Sequence, residues 1–319
     1  MAFAGGSSAR GFDALAQPNQ VRKPAHRRWM SDISKPGFRP LMAVLFMCLA
    51  CTFFPVMNGL VKLLSQRYSS EQVVWARTFG HLILVLLVLL PRYGPDIVKT
   101  QRPGLQILRS CMLLASTTLY FAAIKFVSIA QASAISFIAP LLVMVLAGPM
   151  LKEKVTPARA MGVAVGFIGV LVVVRPGSAL FQPASLLIVV SSLCYAIYQL
   201  LTRRVAGTDR PETSVVYSAL VGSVLMSLVV PFSWTTPTGL VDCLLLGSLG
   251  ALGASGHYCL ARAMTYAPAN FVSPFNYWQM VGSVAVGYLM FSDIPDFFTW
   301  LGTALIISAG LYAGFKSNK

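Results

Sequence analysis

Acidic residues are scarce in this sequence. Only ten Asp and Glu occur among 319 residues, and charged residues of both signs make up 11% of the chain against 56% hydrophobic residues. This composition excludes an ordinary soluble globular domain and predicts a membrane protein with many spans. All ten acids fall in tails, in loops or at the ends of apolar stretches, so we expect no carboxylate in the middle of the membrane.

Groups that support enzyme chemistry are also few. The chain has three histidines, and it lacks the HExxH and GxSxG motifs and the phosphate-binding GxxxxGKS/T loop. A metal centre, a nucleophilic enzyme and an ATP-driven pump therefore have no support in the sequence. All six cysteines lie in apolar segments, which excludes an extracellular disulfide framework. We expect no cofactor and no enzymatic activity, and keep a membrane-embedded enzyme and a non-transporting membrane scaffold as alternatives.

Long apolar stretches are what the chain has instead. Ten of them, each roughly 17–25 residues long, are sufficient to cross a bilayer with some tilt. They lie at 40–64, 72–91, 105–125, 128–150, 158–174, 184–203, 213–232, 239–261, 267–291 and 295–315. Residues 1–39 are rich in Gly, Ser, Pro and Arg without an apolar core, which predicts a disordered basic tail. The predicted fold class is an all-α integral membrane protein with ten transmembrane helices.

The distribution of basic residues predicts the orientation, because cytoplasmic loops carry an excess of Lys and Arg. With the amino terminus inside, most of the 25 basic residues fall on the inner side, Arg109 among them. Both termini are therefore expected in the cytoplasm, and the chain in the cell (inner) membrane. Because the basic residues are spread over many loops, the net charge of +15 does not indicate a nucleic-acid partner. The expected partners are the lipid bilayer and a small-molecule substrate, and a homodimer stays open.

Two halves of the chain repeat each other. Tyr120–Leu142 aligns without a gap with Tyr258–Met280, and Val73–Ala76 in the second span resembles Val215–Ser218 in the seventh. Because each copy has five spans, an odd number, the two copies must cross the membrane in opposite directions. We therefore predict two inverted five-helix repeats. The predicted divisions are the cytoplasmic tail 1–39, repeat 1 at 40–176, repeat 2 at 177–315 and the cytoplasmic tail 316–319.

Several short motifs follow one another along these spans. They are VVWAR (73–77), LKEKV (151–155), RPG (175–177), YQLLTRR (198–204), APANFVSPF (267–275) and FSDIPD (291–296). In this order they resemble the ten-helix EamA-type carriers of the drug/metabolite transporter superfamily, over about residues 40–315. That family often has Gly-Glu after the fourth and ninth spans, where this chain has Lys152-Glu153 and Ser292-Asp293. We interpret those positions as loop packing.

The resemblance implies a function as well as a fold. It implies a bundle with a central cavity lined mainly by spans three, four, eight and nine. Relatives carry amino acids, riboflavin, S-adenosylmethionine and other small metabolites. The implied function is a secondary transporter, as a facilitator, an exchanger or a proton-coupled carrier. An amino acid or an aromatic-ring metabolite such as a flavin or S-adenosylmethionine best suits the aromatic residues of the ninth span, Phe275, Tyr277 and Trp278.

Polar residues in the ninth span predict where the substrate binds. On an α-helix, Asn270, Ser273, Asn276 and Tyr277 fall within one arc, and polar groups in a membrane segment need a partner or water. They line a cavity or bond only to neighbouring helices. With the aligned first-copy segment, the predicted substrate-binding residues are Tyr120, Gln131, Ser136, His257, Tyr258, Asn270, Ser273, Asn276, Tyr277 and Trp278.

Arg77 and His81 are predicted gating or coupling residues on one face of the second span. Arg77 either attracts a substrate carboxylate or phosphate at the outer mouth, or it reaches the outer headgroups or bonds to a carbonyl. With no acid inside the membrane, proton coupling would require His81 or His257, the residue type that titrates near neutrality. The sequence therefore favours a facilitator or an exchanger.

Overall fold

Every regular element in the computed structural model is helical across the described residues, which are 39–151, 157–178, 181–205, 208–267 and 273–316. The α-helices are α1 (Pro40–Leu64), α2 (Ser70–Tyr93), α3 (Pro103–Ile124), α4 (Ile129–Ser136), α5 (Ala139–Leu151), α6 (Pro157–Val174), α7 (Ala184–Val205), α8 (Pro211–Val229), α9 (Leu240–Tyr266), α10 (Trp278–Phe291) and α11 (Phe297–Lys316). Short 3-10 helices lie at Pro95–Val98, Val230–Ser233 and Ser273–Tyr277. The all-α prediction is confirmed for this part of the chain. The predicted tail 1–39 lies outside it except for Arg39.

Seven segments of the described chain are long and apolar enough to cross a membrane. They are Pro40–Leu64, Ser70–Tyr93, Pro103–Ile124, Ile129–Ala147, Ala184–Val205, Glu212–Ser233 and Leu240–Leu260. Two shorter apolar helices, Ala160–Val174 and Phe297–Tyr312, coincide with the predicted fifth and tenth spans. Helix α11 continues to Lys316, so the predicted carboxyl-terminal tail begins inside a helix.

Local chemistry explains where several helices start. Proline stands at the first position of α1, α3, α6 and α8, where the missing N–H has no helical acceptor in any case. Ser69 and Ser128 precede α2 and α4, and their hydroxyls accept the N–H groups of Gln72 and Gln131. The residues at these positions thus determine where the six helices begin.

Two predicted spans are broken, which corrects the expectation of continuous helices. The fourth divides at Phe137–Ile138, between α4 and α5. Pro140 cannot donate to the carbonyl four residues earlier, and α4 ends there, at Ser136. In the ninth span a 3-10 helix covers Ser273–Tyr277 before α10 begins. Because a 3-10 helix turns by about 120° per residue, the helical register of this segment differs from the α-helix that the sequence predicted.

The most extensive helix contacts each join an element of residues 40–174 to one of residues 184–316. Helix α1 packs on α9 and α10, α2 on α8 and α9, α3 on α7 and α8, and α6 on α11. The short α4 meets α10, and α5 meets α7. The interior of the protein therefore lies between the two halves of the sequence.

Polar contacts near the helix ends form two sets. One set joins Lys62 to Asp293, Arg67 to Asp242 and Arg175 to Asp296, at the connections that follow α1, α6, α8 and α10. The other set joins Tyr93 to Glu212, Gln106 to Asp209 and Tyr217 to the Val98 carbonyl, at the connections that follow α2 and α7. This segregation agrees with helices that cross the membrane in alternating directions.

Candidate functional site

Arg77 lies in the interior, with 8% of its surface exposed. Its Nη1 donates to the Thr117 hydroxyl at 3.4 Å, and the guanidinium carbon lies 5.8 Å from the centre of the Phe121 ring. Nε is buried and has no hydrogen-bond partner among the described residues. The interpretation that Arg77 reaches the lipid headgroups is therefore wrong, because the side chain is enclosed by α3 and α9 instead.

His81 and His257 come together beside Arg77, although α2 and α9 are far apart in the sequence. Their rings stack with centroids 5.9 Å apart and an interplanar angle of 7°. The edge of Phe54 from α1 also meets His257, at a centroid distance of 5.2 Å. Two residues predicted independently, one for coupling and one for binding, thus form a single cluster.

A small cavity opens between these side chains and α8. Its volume is about 30 Å³, which gives room for roughly one or two water molecules. The volume is too small for an organic metabolite, so helices must separate before one can enter. The lining residues are Arg77, Thr78, His81, Leu113, Leu114, Thr117, Ser218, Ala219, Gly222 and His257.

Glycine allows α2 and α9 to touch next to the histidines. A Cβ atom placed on Gly250 would lie 2.5 Å from the Gly80 carbonyl carbon, closer than any side chain tolerates. A Cβ on Gly247, one turn earlier, would meet nothing within 4 Å. Gly250 therefore brings the backbones of α2 and α9 into direct contact beside the histidines.

Arg109 is a buried residue that sequence reasoning missed, because it was counted among the inner charges. It is 2% exposed and donates to the Thr202 hydroxyl at 3.1 Å, to the Ser218 hydroxyl at 2.8 Å and to the Ser214 carbonyl. Its guanidinium carbon also lies 5.1 Å from the centre of the Tyr198 ring. The available signal was polar residues close by in the same apolar stretch, Gln106 one turn earlier and Ser110 directly after it, and both are fully buried.

A second polar cluster surrounds the two broken spans. The rings of Phe137 and Tyr277 meet edge to face at 5.4 Å, one from each break. Asn58 donates to the Tyr120 hydroxyl at 3.2 Å, and the hydroxyls of Ser133 and Ser283 lie 2.7 Å apart. The Cys51 thiol, also on α1, contacts the backbone oxygen of Asn276 at 3.7 Å. Helix α1 thus connects this cluster to the histidine pair through Phe54.

Two predicted binding residues lie on the outside. Tyr258 is 60% exposed and Trp278 is 47% exposed, with the indole N–H donating to the Thr52 hydroxyl at 3.4 Å. Successive helical residues point about 100° apart, so the inward position of His257 turns Tyr258 outward. The expectation that Tyr258 and Trp278 line an internal cavity is therefore corrected.

Of four other predicted binding residues, two bond to backbone carbonyls and two are not fully described. Gln131 donates to the Val173 carbonyl at 3.4 Å, and so contacts the end of α6 rather than the cavity described above. The Ser136 hydroxyl donates to the Ala132 carbonyl of its own helix at 2.8 Å. Asn270 lies outside the described residues, and only the backbone of Ser273 is described. Among the residues that could be searched, no group of three His, Cys, Asp or Glu could hold a metal ion.

Comparison with known proteins shows the family of the chain. The sequence profile of the EamA-like transporter family matches residues 41–175 and 182–313. An S-adenosylmethionine uptake transporter of Rickettsia bellii is 30% identical over 258 residues, 81% of this chain and 88% of that protein. A riboflavin transporter of Vibrio cholerae is 30% identical over 271 residues, 84% of this chain and 91% of the other.

Two further comparisons point the same way. A riboflavin transporter of Rhizobium johnstonii is 31% identical over 278 residues, 86% of this chain and 91% of that protein. A crystal structure of a protein with 19% sequence identity superimposes with a TM-score of 0.59, covering 85% of this chain and 96% of the other. The last similarity concerns the fold alone.

Proposed function

The chain belongs to the EamA-like transporter family and is an integral membrane transporter of a small organic molecule, and we propose that its substrate binds between α2, α3, α8 and α9. The observation that carries this proposal is the cavity between the two halves of the sequence, whose mainly apolar walls include the polar side chains of Arg77, His81 and His257. Polar and charged groups inside a membrane protein are energetically costly, so those that occur there usually belong to a functional site. The predicted site residues near the broken spans, Tyr120, Asn276 and Tyr277, would form the adjoining wall.

The proposed substrate is an amino acid or an aromatic-ring metabolite such as a flavin or S-adenosylmethionine. The similar transporters named for S-adenosylmethionine and riboflavin both have substrates with a flat ring system. In support, the rings of Tyr195 and Tyr198 on α7 stack with centroids 5.6 Å apart, and on α3 the ring of Tyr120 lies 6.4 Å from that of Phe121. Aromatic side chains of this kind favour planar or cationic ligands.

The proposed architecture is ten spans in two inverted repeats, residues 40–176 and 177–315. Helix packing supports it, because the contacts interchange when the two copies are exchanged. The contact of α1 with α9 becomes that of α7 with α3, and the contact of α2 with α9 becomes that of α8 with α3. The broken spans occupy the fourth place in both copies. Interrupted helices in corresponding positions are a feature of substrate sites in secondary transporters.

The transport mode that we propose is facilitated diffusion or exchange. No carboxylate is part of the described lining of the cavity, so an acid that would carry a coupled proton is not available there. The excess of basic residues on one side supports cytoplasmic termini in the cell (inner) membrane. A homodimer stays a prediction from the sequence.

A counterflow experiment in proteoliposomes tests the function. Vesicles containing the purified chain are preloaded with phenylalanine, tyrosine, riboflavin or S-adenosylmethionine, and uptake of the same labelled compound is followed with and without a pH gradient. We expect saturable exchange of at least one compound, recovered chemically unchanged and insensitive to the gradient. Conversion of the compound would favour a membrane enzyme, and absence of exchange throughout the panel would favour a scaffold.

A further inference from the structure

We propose that Arg77 is the docking point for a carboxylate group of the transported molecule. The substrate class is then an organic metabolite that carries a carboxylate, and uncharged ring compounds are poor substrates. This inference rests on the proposed transport function and specifies the same site. It follows from the contrast between two buried arginines, from the groups that line the cavity and from the charge of that lining.

Arg77 and Arg109 are both buried, but only one of them is well satisfied. Arg109 donates three hydrogen bonds, to Thr202, Ser214 and Ser218, and so connects α3 to α7 and α8. Arg77 makes one long bond, to Thr117, within the described structure, and the Nε of each of the two arginines has no partner there, so the contrast lies in the terminal nitrogens. Since a guanidinium carries five N–H donors, Arg77 retains the capacity to bind another group.

The charge of Arg77 is also not neutralised by the protein around it. Lys62, Arg67, Lys99 and Arg175 form ion pairs near helix ends, whereas Arg77 forms none with a described acid. An enclosed charge without a counter-charge is unfavourable, and an anion that binds there removes the imbalance. The planar fork of an arginine matches the two oxygens of a carboxylate.

The other polar groups of the cavity suit an anion. Thr117 contributes a hydroxyl, and His81 and His257 contribute imidazoles, each of which carries at least one N–H donor. The Ser218 hydroxyl already donates to the Ser214 carbonyl. No Asp or Glu is part of the described lining, so an entering carboxylate meets no like charge there. The polar part of the mainly apolar lining therefore offers donors and a single cation.

The repeat alignment explains why the site takes one negative charge. Extending the match of Val73–Ala76 with Val215–Ser218 by one residue pairs Arg77 with Ala219, and both residues line the cavity. The second copy thus contributes a methyl group where the first contributes a guanidinium. One carboxylate balances one guanidinium, whereas a phosphate monoester would leave a net negative charge inside the membrane. We therefore assign the site to a carboxylate.

This assignment distinguishes the two substrates named for similar proteins. S-adenosylmethionine carries a carboxylate on its methionine part, whereas riboflavin carries none. By the chemistry of Arg77, this chain is expected to accept S-adenosylmethionine or an amino acid and to discriminate against riboflavin.

The test compares compounds that differ only in the carboxylate. The purified full-length chain is assayed for competition in counterflow and, in detergent, for a ligand-induced rise in melting temperature. The pairs are S-adenosylmethionine with its decarboxylated analogue and phenylalanine with phenylalaninamide, with riboflavin as the uncharged ring. For the pair whose carboxylate member exchanges or stabilises the protein, we expect that member to act at roughly 10- to 100-fold lower concentration, the range for a hydrogen bond to a charged group.

Variants then assign the preference to Arg77. Arg77→Gln should abolish the difference between the members of a pair, and Arg77→Lys should retain part of it because the charge remains. Arg92→Gln, an exposed arginine near the end of the same helix, is the matched control and should behave like the wild type. If Arg77→Gln does not fold, the wild-type pairs and Arg77→Lys still decide the question.

Two results would overturn the inference. One is equal action of both members of every active pair on the wild type, and the other is a preference that persists in folded Arg77→Gln. Failure of transport is a separate result. If no compound exchanges, an Arg77-dependent rise in melting temperature with a carboxylate compound supports the site without the transport function. If no carboxylate compound raises the melting temperature either, both proposals fall.

Discussion

The imidazole rings of His81 and His257 stack nearly parallel, with an angle of 7° between their planes and 5.9 Å between their centroids. This contact joins α2 to α9 at the wall of the cavity that Arg77 lines. It is therefore both a packing contact between the two halves of the chain and a pair of polar groups available to a substrate.

These two roles can be separated by substitution at His257. We expect His257→Phe to keep a melting temperature close to that of the wild type, because a ring still fills the space between Phe54 and His81. Transport should fall roughly 10-fold, the cost of losing a polar contact to a charged substrate group. The control is Tyr258→Phe, which changes an exposed neighbour and should transport normally. Equal loss in both variants would contradict the assignment of His257 to the cavity.

The contact between Gly80 and Gly250 predicts a sensitive position on α9. Gly250→Ala would place a methyl group 2.5 Å from the Gly80 carbonyl carbon and force α2 and α9 apart. We expect a loss of about 1–3 kcal/mol in the free energy of unfolding, together with reduced transport. Gly247→Ala has open space around it and should be tolerated. A thermal unfolding series in detergent compares the two, and comparable melting temperatures would refute the close contact.

Gly310 and Tyr277 predict a suppressor pair. A Cβ on Gly310 would lie 2.7 Å from the Tyr277 hydroxyl, so Gly310→Ala should displace this ring at the broken ninth span and reduce transport. Removing the hydroxyl makes room, and the double variant Gly310→Ala/Tyr277→Phe should regain stability relative to Gly310→Ala. Transport rates and melting temperatures of the single and double variants measure the effect. Strictly additive losses would argue against this contact.

Lys62 is expected to matter more than its partner Asp293. The lysine ammonium lies 3.1 Å from the carboxylate, but it also donates to the Val127 carbonyl at 3.0 Å and lies 5.0 Å from the centre of the Phe291 ring. Asp293 is partly exposed, which limits the ion pair to about 1 kcal/mol or less. In a double-mutant cycle, Lys62→Met should therefore destabilise the protein more than Asp293→Asn. The reverse order would show that the ion pair dominates.

Asp209, in the loop before α8, predicts a pH dependence of stability. Burial raises the pKa of Asp209, but hydrogen bonds from the Thr100 hydroxyl, the Gln106 amide and the Gln101 N–H outweigh this effect, so its pKa lies below the ordinary 3.8. Since the unfolded chain binds this proton at a higher pH than the folded chain, the stabilisation is complete above about pH 4 and is lost as the pH falls through the folded-state value.

The corresponding variant is Asp209→Asn. It should lower the melting temperature at pH 7 and flatten the decline of stability between pH 5 and pH 3. Asp96→Asn is the control, because the side chains of Asp96 and its partner Lys99 are both mostly exposed and solvent screens their ion pair. A steep decline that persists in Asp209→Asn would assign the acid sensitivity to other carboxylates.

The helix boundaries show how far sequence reasoning reaches. The first span was predicted at 40–64 and α1 has those bounds, because the apolar run ends sharply and Pro40 starts the helix. The ninth span was less accessible. The apolar stretch runs through 273–277 without a break, so the sequence does not predict the 3-10 segment there. That segment depends on which backbone hydrogen bonds can form around Pro274.

For the candidate site, too, the sequence identified some residues correctly and misplaced others. Sequence singled out Arg77, His81 and His257 because charged and polar residues are rare inside apolar segments. It placed Tyr258 and Trp278 inside as well, and it left Arg109 among the loop charges. The exposure of the first two and the burial of the third depend on which neighbour each helix face meets.

The sequence by itself determined that the chain is an all-α membrane protein, where most of its helices lie and which residues are chemically unusual within them. Only the tertiary structure decided that Arg77 points inward, that His81 meets His257 and that Tyr258 faces outward. The physical reason is that lipid and protein interior are both apolar, so the two faces of a membrane helix carry similar residues and periodicity does not distinguish them. Packing between the two halves of the chain determines which face of each helix is buried.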